Sequence, residues 1–123
     1  MAVELQGLDI GFLKASADLS DYQFLGVKIS ADFTVAPATA GDCDGVLQNK
    51  PEAAGRACQV RKSGASKVVL AGTVAAGQPG KTNAAGAFVV ADTDQDQYAV
   101  RFVEGGDSGE TVTALVENGY FAT

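Results

Sequence analysis

The 123-residue sequence predicts an all-β fold: a small single-domain β-sandwich or barrel of short strands with an extended N-terminal arm. Three observations predict it. Short runs rich in β-branched and aromatic residues recur at a spacing of roughly ten residues, with turn residues between them. Fifteen glycines favour turns over long helices. No segment keeps a helical period beyond about three turns.

Residues 1–17 hold Leu5, Leu8, Ile10, Phe12 and Leu13, with Gly7 and Gly11 between them. They read as a weak strand or an arm ahead of a β-domain over 18–123. Apolar side chains on a terminal segment need a surface to lie on, either their own domain or a neighbouring molecule. Asp18 and Ser20 are both suited to cap a single turn, after which Phe24–Ile29 reads as a strand. Phe33–Val35 is another, closed by Pro37.

Val46–Gln48 and Ala57–Lys62 form a hairpin around a wide turn shaped by Asn49, Pro51 and Gly55. Cys58 and Val60 face one side of it, Gln59 and Arg61 the other. In a simple hairpin Cys58 falls near Val46, a register that does not favour a Cys43–Cys58 bridge. Two cysteines are also too few for a disulfide framework, and Cys58 reads as a small buried apolar residue.

Ser66–Leu70 reads as the next strand, and Gly72–Gly77 leads to a turn at Gln78-Pro79-Gly80. Phe88–Ala91 is a short strand. Tyr98, Val100 and Phe102 alternate with Ala99, Arg101 and Val103, and Val112, Ala114 and Val116 with Thr111, Thr113 and Leu115. Both are half-buried strand patterns. The acidic Gly105–Glu110 stretch between them reads as an exposed hairpin loop.

Hydrophobic residues make up 46% of the chain, but much of that is alanine and aromatics are 7%, so the core is thin for the length. Oligomerisation is one way to finish burying it. The net charge of −6 repels phosphate backbones and anionic lipid, which makes nucleic acid and membranes poor partners. No apolar run reaches the ~18 residues of a membrane span. The N-terminus lacks the basic and apolar stretches of a secretory signal, so synthesis in a cytoplasm is expected.

Two motifs suggest chemistry without its context. Ala75–Thr82 satisfies a relaxed phosphate-binding pattern ending Gly80-Lys81-Thr82, but such a loop must open a helix, and Gly86 breaks any helix there. Asp92, Asp94 and Asp96 have calcium-loop spacing, yet Gln97 stands where glycine is needed and Val103 where a bidentate glutamate is needed. The chain has no histidine, which removes Ser–His and Cys–His dyads and the common zinc sites. No carboxylate pair stands out. The expectation is a protein with no catalytic residues, no metal and no cofactor.

The segment Gly41-Asp42, Gly45-Val46-Leu47-Gln48-Asn49, Pro51 and Gly55 resembles the central hairpin of the capsid decoration, or head cement, proteins of tailed bacteriophages. Asp18-Leu19-Ser20 with the strand ending Gly26-Val27-Lys28 resembles that family's early strand. Gly64, Lys67-Val68, Ala71-Gly72 and Val74–Gly77 resemble the strand pair after the hairpin, and Gly86 its turn glycine. The likeness covers residues 18–91 at motif level, and the arm is distinctive to this chain.

The resemblance implies a virion protein, made in the host cytoplasm, that adds to the outer surface of an assembled head. It implies a homotrimer that clamps neighbouring subunits of the major capsid protein. Leu8, Ile10, Phe12 and Leu13 of the arm are the expected contacts, with Asn49 and Pro51 of the hairpin turn as a second candidate. The alternatives are another phage assembly protein, in the tail or connector, and a non-catalytic β-type binding module. A nucleotide-binding enzyme rests on Ala75–Thr82 alone.

Overall fold

The computed structural model describes residues 7–91 and 97–120. Among these, the elements are β1 (Gly7–Ala15), a single 3-10 turn (Ser20–Tyr22), β2 (Gly26–Ala31), β3 (Thr34–Pro37), β4 (Gly45–Leu47), β5 (Ala57–Val69), β6 (Pro79–Thr82), β7 (Phe88–Val90), β8 (Gln97–Phe102) and β9 (Thr111–Tyr120). The fold is all-β, as the alternation predicts. Asp18 Oδ1 accepts from the Ser20 N–H at 2.9 Å and so starts the 3-10 turn.

The nine strands run in the order β1-β3-β2-β4-β5-β9-β8-β6-β7, and β1 pairs again with β5. That second pairing closes a five-strand ring, β1-β3-β2-β4-β5. The rest of β5 continues into β9, β8, β6 and β7, and a bridge from Leu70 to Phe88 brings β7 back beside the end of β5. Two small rings therefore share one strand, and each has its own apolar interior. Leu13, Ala15, Leu19, Val27, Val35, Leu47, Cys58 and Val60 fill the first. The second is built on Val68, Leu70, Phe88, Val100, Phe102, Val112 and Ala114.

β5 serves both interiors. Cys58 and Val60 point into the first, and Ser66 and Val68, on the same face of the strand, are buried farther along. The strand turns its corner at Gly64, which adopts φ +92°. Only glycine takes that conformation without a steric cost. The sequence reads Ala57–Lys62 and Ser66–Leu70 as two strands; the Gly64 corner bends one strand without ending its pairing. Gln48 shows how sharp the bend is. It lies beside Gln59, whose carbonyl accepts from its backbone N–H, yet its side-chain amide reaches Ser66 Oγ at 2.8 Å.

Other boundaries move for local reasons. β2 starts at Gly26 rather than Phe24, because Phe24 sits at φ +67° and its N–H bonds to the Leu47 carbonyl. The Gln78-Pro79-Gly80 turn is displaced. The bend lies at Ala75–Gln78, where Gly77 takes φ +88°, and Pro79 opens strand β6. Proline is tolerated as the first residue of a strand, where no ladder donor is required.

The hairpin register is three residues off the simple one. Val46 pairs with Arg61 and Leu47 with Val60, while Cys58 pairs with Leu13 of β1. Both cysteines are free and buried, in different interiors. Burial pushes the Cys43 thiol up to about 12 and raises that of Cys58. The thiolate is the reactive form, so neither cysteine is expected to react with DTNB at pH 8 until the protein is denatured. Rapid labelling of the native protein would contradict this burial.

Candidate contact surface

The first ring is closed over only part of its height. β1 and β3 pair at just two positions, Lys14 with Thr34 and Ala15 with Val35. Residues 7–13 of β1 run past the β2–β3 hairpin tip and pair only with β5. A β-bulge between Ile10 and Leu13 keeps both of these facing the interior and turns Phe12 out. At this end four large apolar side chains meet solvent: Leu8 (62% exposed), Phe12 (63%), Ile29 (56%) and Phe33 (64%). The Phe12 and Phe33 rings meet edge to face with centroids 6.0 Å apart.

Phe33 carries a further cost. It sits at φ +55°, a conformation that bulky side chains rarely adopt and that glycine or asparagine fills more readily. An exposed aromatic in a strained position contributes little to folding, and such positions cluster at functional sites.

The residues expected to make contacts divide by environment. Leu8 and Phe12 are exposed, Ile10 is half-buried against the first interior, and Leu13 is buried within it. Asn49 braces the hairpin: its Nδ2 donates to the Ala57 carbonyl and its Oδ1 accepts from the Gln59 N–H, both at 3.0 Å. Pro51 is buried and its carbonyl accepts from Leu19 N–H. Phe33 and Ile29 are not among the contacts the sequence predicts. Their one sequence signal is position, on either side of the polar Ser30–Asp32 tip.

The phosphate-loop-like segment spans the Ala75–Gln78 bend and strand β6, and among the described residues no helix follows it. Gly80 has no room for a phosphate, since even a Cβ there would come within 2.5 Å of the Phe102 ring. Thr82 is buried and its hydroxyl donates to the Thr39 carbonyl at 2.8 Å. Thr82→Val is expected to cost about 0.5–1.5 kcal/mol by removing that hydrogen bond, since the Thr39 carbonyl keeps the Asp42 N–H at 3.0 Å, read by urea denaturation. Mg–ATP is expected to leave the melting temperature of both forms unchanged. The Asp92–Asp96 spacing lies outside the described residues.

Charge is unevenly shared. Residues 64–123 hold three basic side chains (Lys67, Lys81 and Arg101) against seven acidic ones, while the other six basic residues lie between 14 and 62. The best-formed ion pair spans the junction of the rings. Arg61 Nε and Nη2 donate to the two Asp9 carboxylate oxygens at 2.6 and 3.1 Å, and Nη1 donates to the Ala65 carbonyl at 2.6 Å. The Asp9 carboxylate raises the Arg61 pKa further, so the guanidinium is charged at any working pH.

No protein-family model matches the sequence, and no curated protein matches it. Among solved structures, the fold is similar to the crystal structure of the N base of head fiber gp8.5 of bacteriophage phi29. The TM-score is 0.69, and the match covers 94% of this chain and 100% of that one at 20% identity. Identity this low speaks for a shared fold.

Proposed function

We propose that this chain is a non-catalytic virion protein that attaches to the outside of an assembled phage head and braces contacts between subunits of the major capsid protein. The observation that carries this reading is the likeness over nearly the whole chain to the base of a phage head fiber. The decoration-protein signature in residues 41–55 supports it independently, as does the concentration of exposed apolar side chains at one end. Many weak contacts repeated over one shell gain strength through avidity. Within this reading the N-terminal segment, residues 1–17, contributes Leu8 and Phe12 to the contact, and the protein assembles as a homotrimer.

The test is to mix purified protein with heads that lack it and image the shells by cryo-electron microscopy. Ordered density on the outer surface at local three-folds is the expected result. Bare shells at saturating protein would overturn the reading.

A further inference from the structure

We propose that the two rings are held at a fixed angle by a latch, in which Gly26 and the 38–42 turn of the first ring grip the β6–β7 turn of the second. Through β5 the rings share one strand, bent at Gly64, and Arg61 and the Gln48–Ser66 bond brace that corner. Two bodies joined along one strand can still turn about it. A second attachment away from that line fixes the angle.

Gly26 supplies the second attachment. It pairs with Val46, and Val46 with Arg61 of β5, so it lies two strands from the shared one, roughly 10 Å at the ordinary strand spacing. The turn it meets is built by its own residues. Asn83 Oδ1 accepts from the Ala85 and Ala87 N–H groups at 2.9 and 3.1 Å, and Gly86 takes φ +85°. This turn brings the Gly86 carbonyl to the Gly26 N–H at 2.8 Å. Gly41 N–H donates to the Thr82 carbonyl at 3.0 Å, and the Thr82 hydroxyl to the Thr39 carbonyl at 2.8 Å.

The fit is close on both sides. A Cβ on Gly26 would come within 2.6 Å of Thr82 Cγ2 and 2.8 Å of Cys43 Sγ, and one on Gly86 would lie 2.9 Å from the Gly26 carbonyl oxygen. Packing reinforces the hydrogen bonds. Ala38 and Cys43, on either side of the turn, come from the first ring's part of the chain yet belong to the second interior with Val68 and Phe88.

The experiment places spin labels at Glu52→Cys, in the hairpin turn of the first ring, and Ser108→Cys, in the β8–β9 loop of the second. Both positions are exposed, and the native cysteines are buried. The distance distribution between the labels is measured by double electron–electron resonance, alongside amide hydrogen exchange, in the labelled parent, Gly86→Ala, Thr82→Val and Gly77→Ala. Gly77 has φ +88° but a Cβ there meets nothing within 4 Å, so this variant carries the backbone strain without touching the latch. One narrow distance is expected in the parent and in Gly77→Ala, a broad distribution in Gly86→Ala and a smaller broadening in Thr82→Val. In Gly86→Ala the Gly26 and Gly41 amides should exchange about tenfold faster or more while those of Val112–Val116 hold, a local opening that general destabilisation does not produce. An unchanged width in both latch variants, equal broadening in Gly77→Ala, or a broad distribution in the parent overturns the latch. If Gly86→Ala does not fold, Thr82→Val decides alone, because it keeps the shape of the side chain.

Discussion

Phe102→Ala is expected to destabilise the protein by about 3–5 kcal/mol, more than any other substitution considered for this fold. Phe102 is 1% exposed and, with Phe88, is one of the two largest fully buried side chains among the described residues. Its ring lies against Gly80, where a Cβ would come within 2.5 Å of Cζ and 2.8 Å of Cε2. At roughly 4 °C per kcal/mol for a domain of this size, the melting temperature falls by roughly 12–20 °C. The contact makes a second, coupled prediction. Gly80→Ala alone overpacks the site at a cost of about 1–3 kcal/mol. In the Phe102→Ala background that cost should shrink but not vanish, because the two nearest blocking atoms are gone while Val100 Cγ2, 2.9 Å from the Cβ, remains. Denaturant titration of the four proteins measures the coupling, and additive effects would show that the ring and Gly80 do not share this space.

Arg61→Met is expected to cost about 2–3 kcal/mol, and Arg61→Lys to recover little of it. The guanidinium holds Asp9 on β1 and the Ala65 carbonyl beyond the Gly64 corner, so it ties both rings to the bend in their shared strand. A single ammonium has no fork that reaches both. The Arg61 and Asp9 side chains are only 12% and 30% exposed, so water screens the pair weakly. Arg101→Met is the contrast. Its pair with Glu117 is 40% and 42% exposed and is worth under about 1 kcal/mol. Equal losses from Arg61→Met and Arg101→Met would show that the corner does not depend on the Arg61 guanidinium.

The strands that could be read from the sequence are those whose pattern is local. In β9 Val112, Ala114 and Val116 are buried as the alternation requires; in β8 Val100 and Phe102 are too, but a bulge between Tyr98 and Val100 buries Ala99 as well, which alternation places outward. Asn49 and Gly55 mark a turn because their chemistry makes one: an amide that grips two backbone groups, and a residue at φ +85°. β5 is harder to read. Gly64 looks like a break, and only its partners Gly7 and Val116, more than fifty residues away on either side, show that pairing continues through it. Pro79-Gly80 looks like a turn for a similar reason. Its strand character lies in pairing with Val90 of β7 and Val100 of β8, and the Phe102 ring takes the space a side chain at residue 80 would need.

The contact surface is half legible. Leu8 and Phe12 stand out as apolar residues on a terminal segment, and both are exposed. Ile10 and Leu13 look the same in the sequence but face inward, because the bulge in β1 assigns faces that simple alternation does not. Ile29 and Phe33 read as ordinary strand residues until the hairpin tip is seen to project beyond the ring.

The sequence by itself determined the all-β class, the turn chemistry and the absence of histidine, because each depends on residue type or on neighbours a few positions apart. Tertiary structure alone decided that a single nine-stranded sheet closes into two rings, that β5 belongs to both, and that one ring is left open at the end where Leu8, Phe12, Ile29 and Phe33 are exposed. The reason is physical. Ring closure is a set of backbone hydrogen bonds between strands far apart in sequence, and backbone groups are the same in every residue but proline. Which strands meet is therefore set by how the two interiors pack, not by any signal carried in the strands themselves.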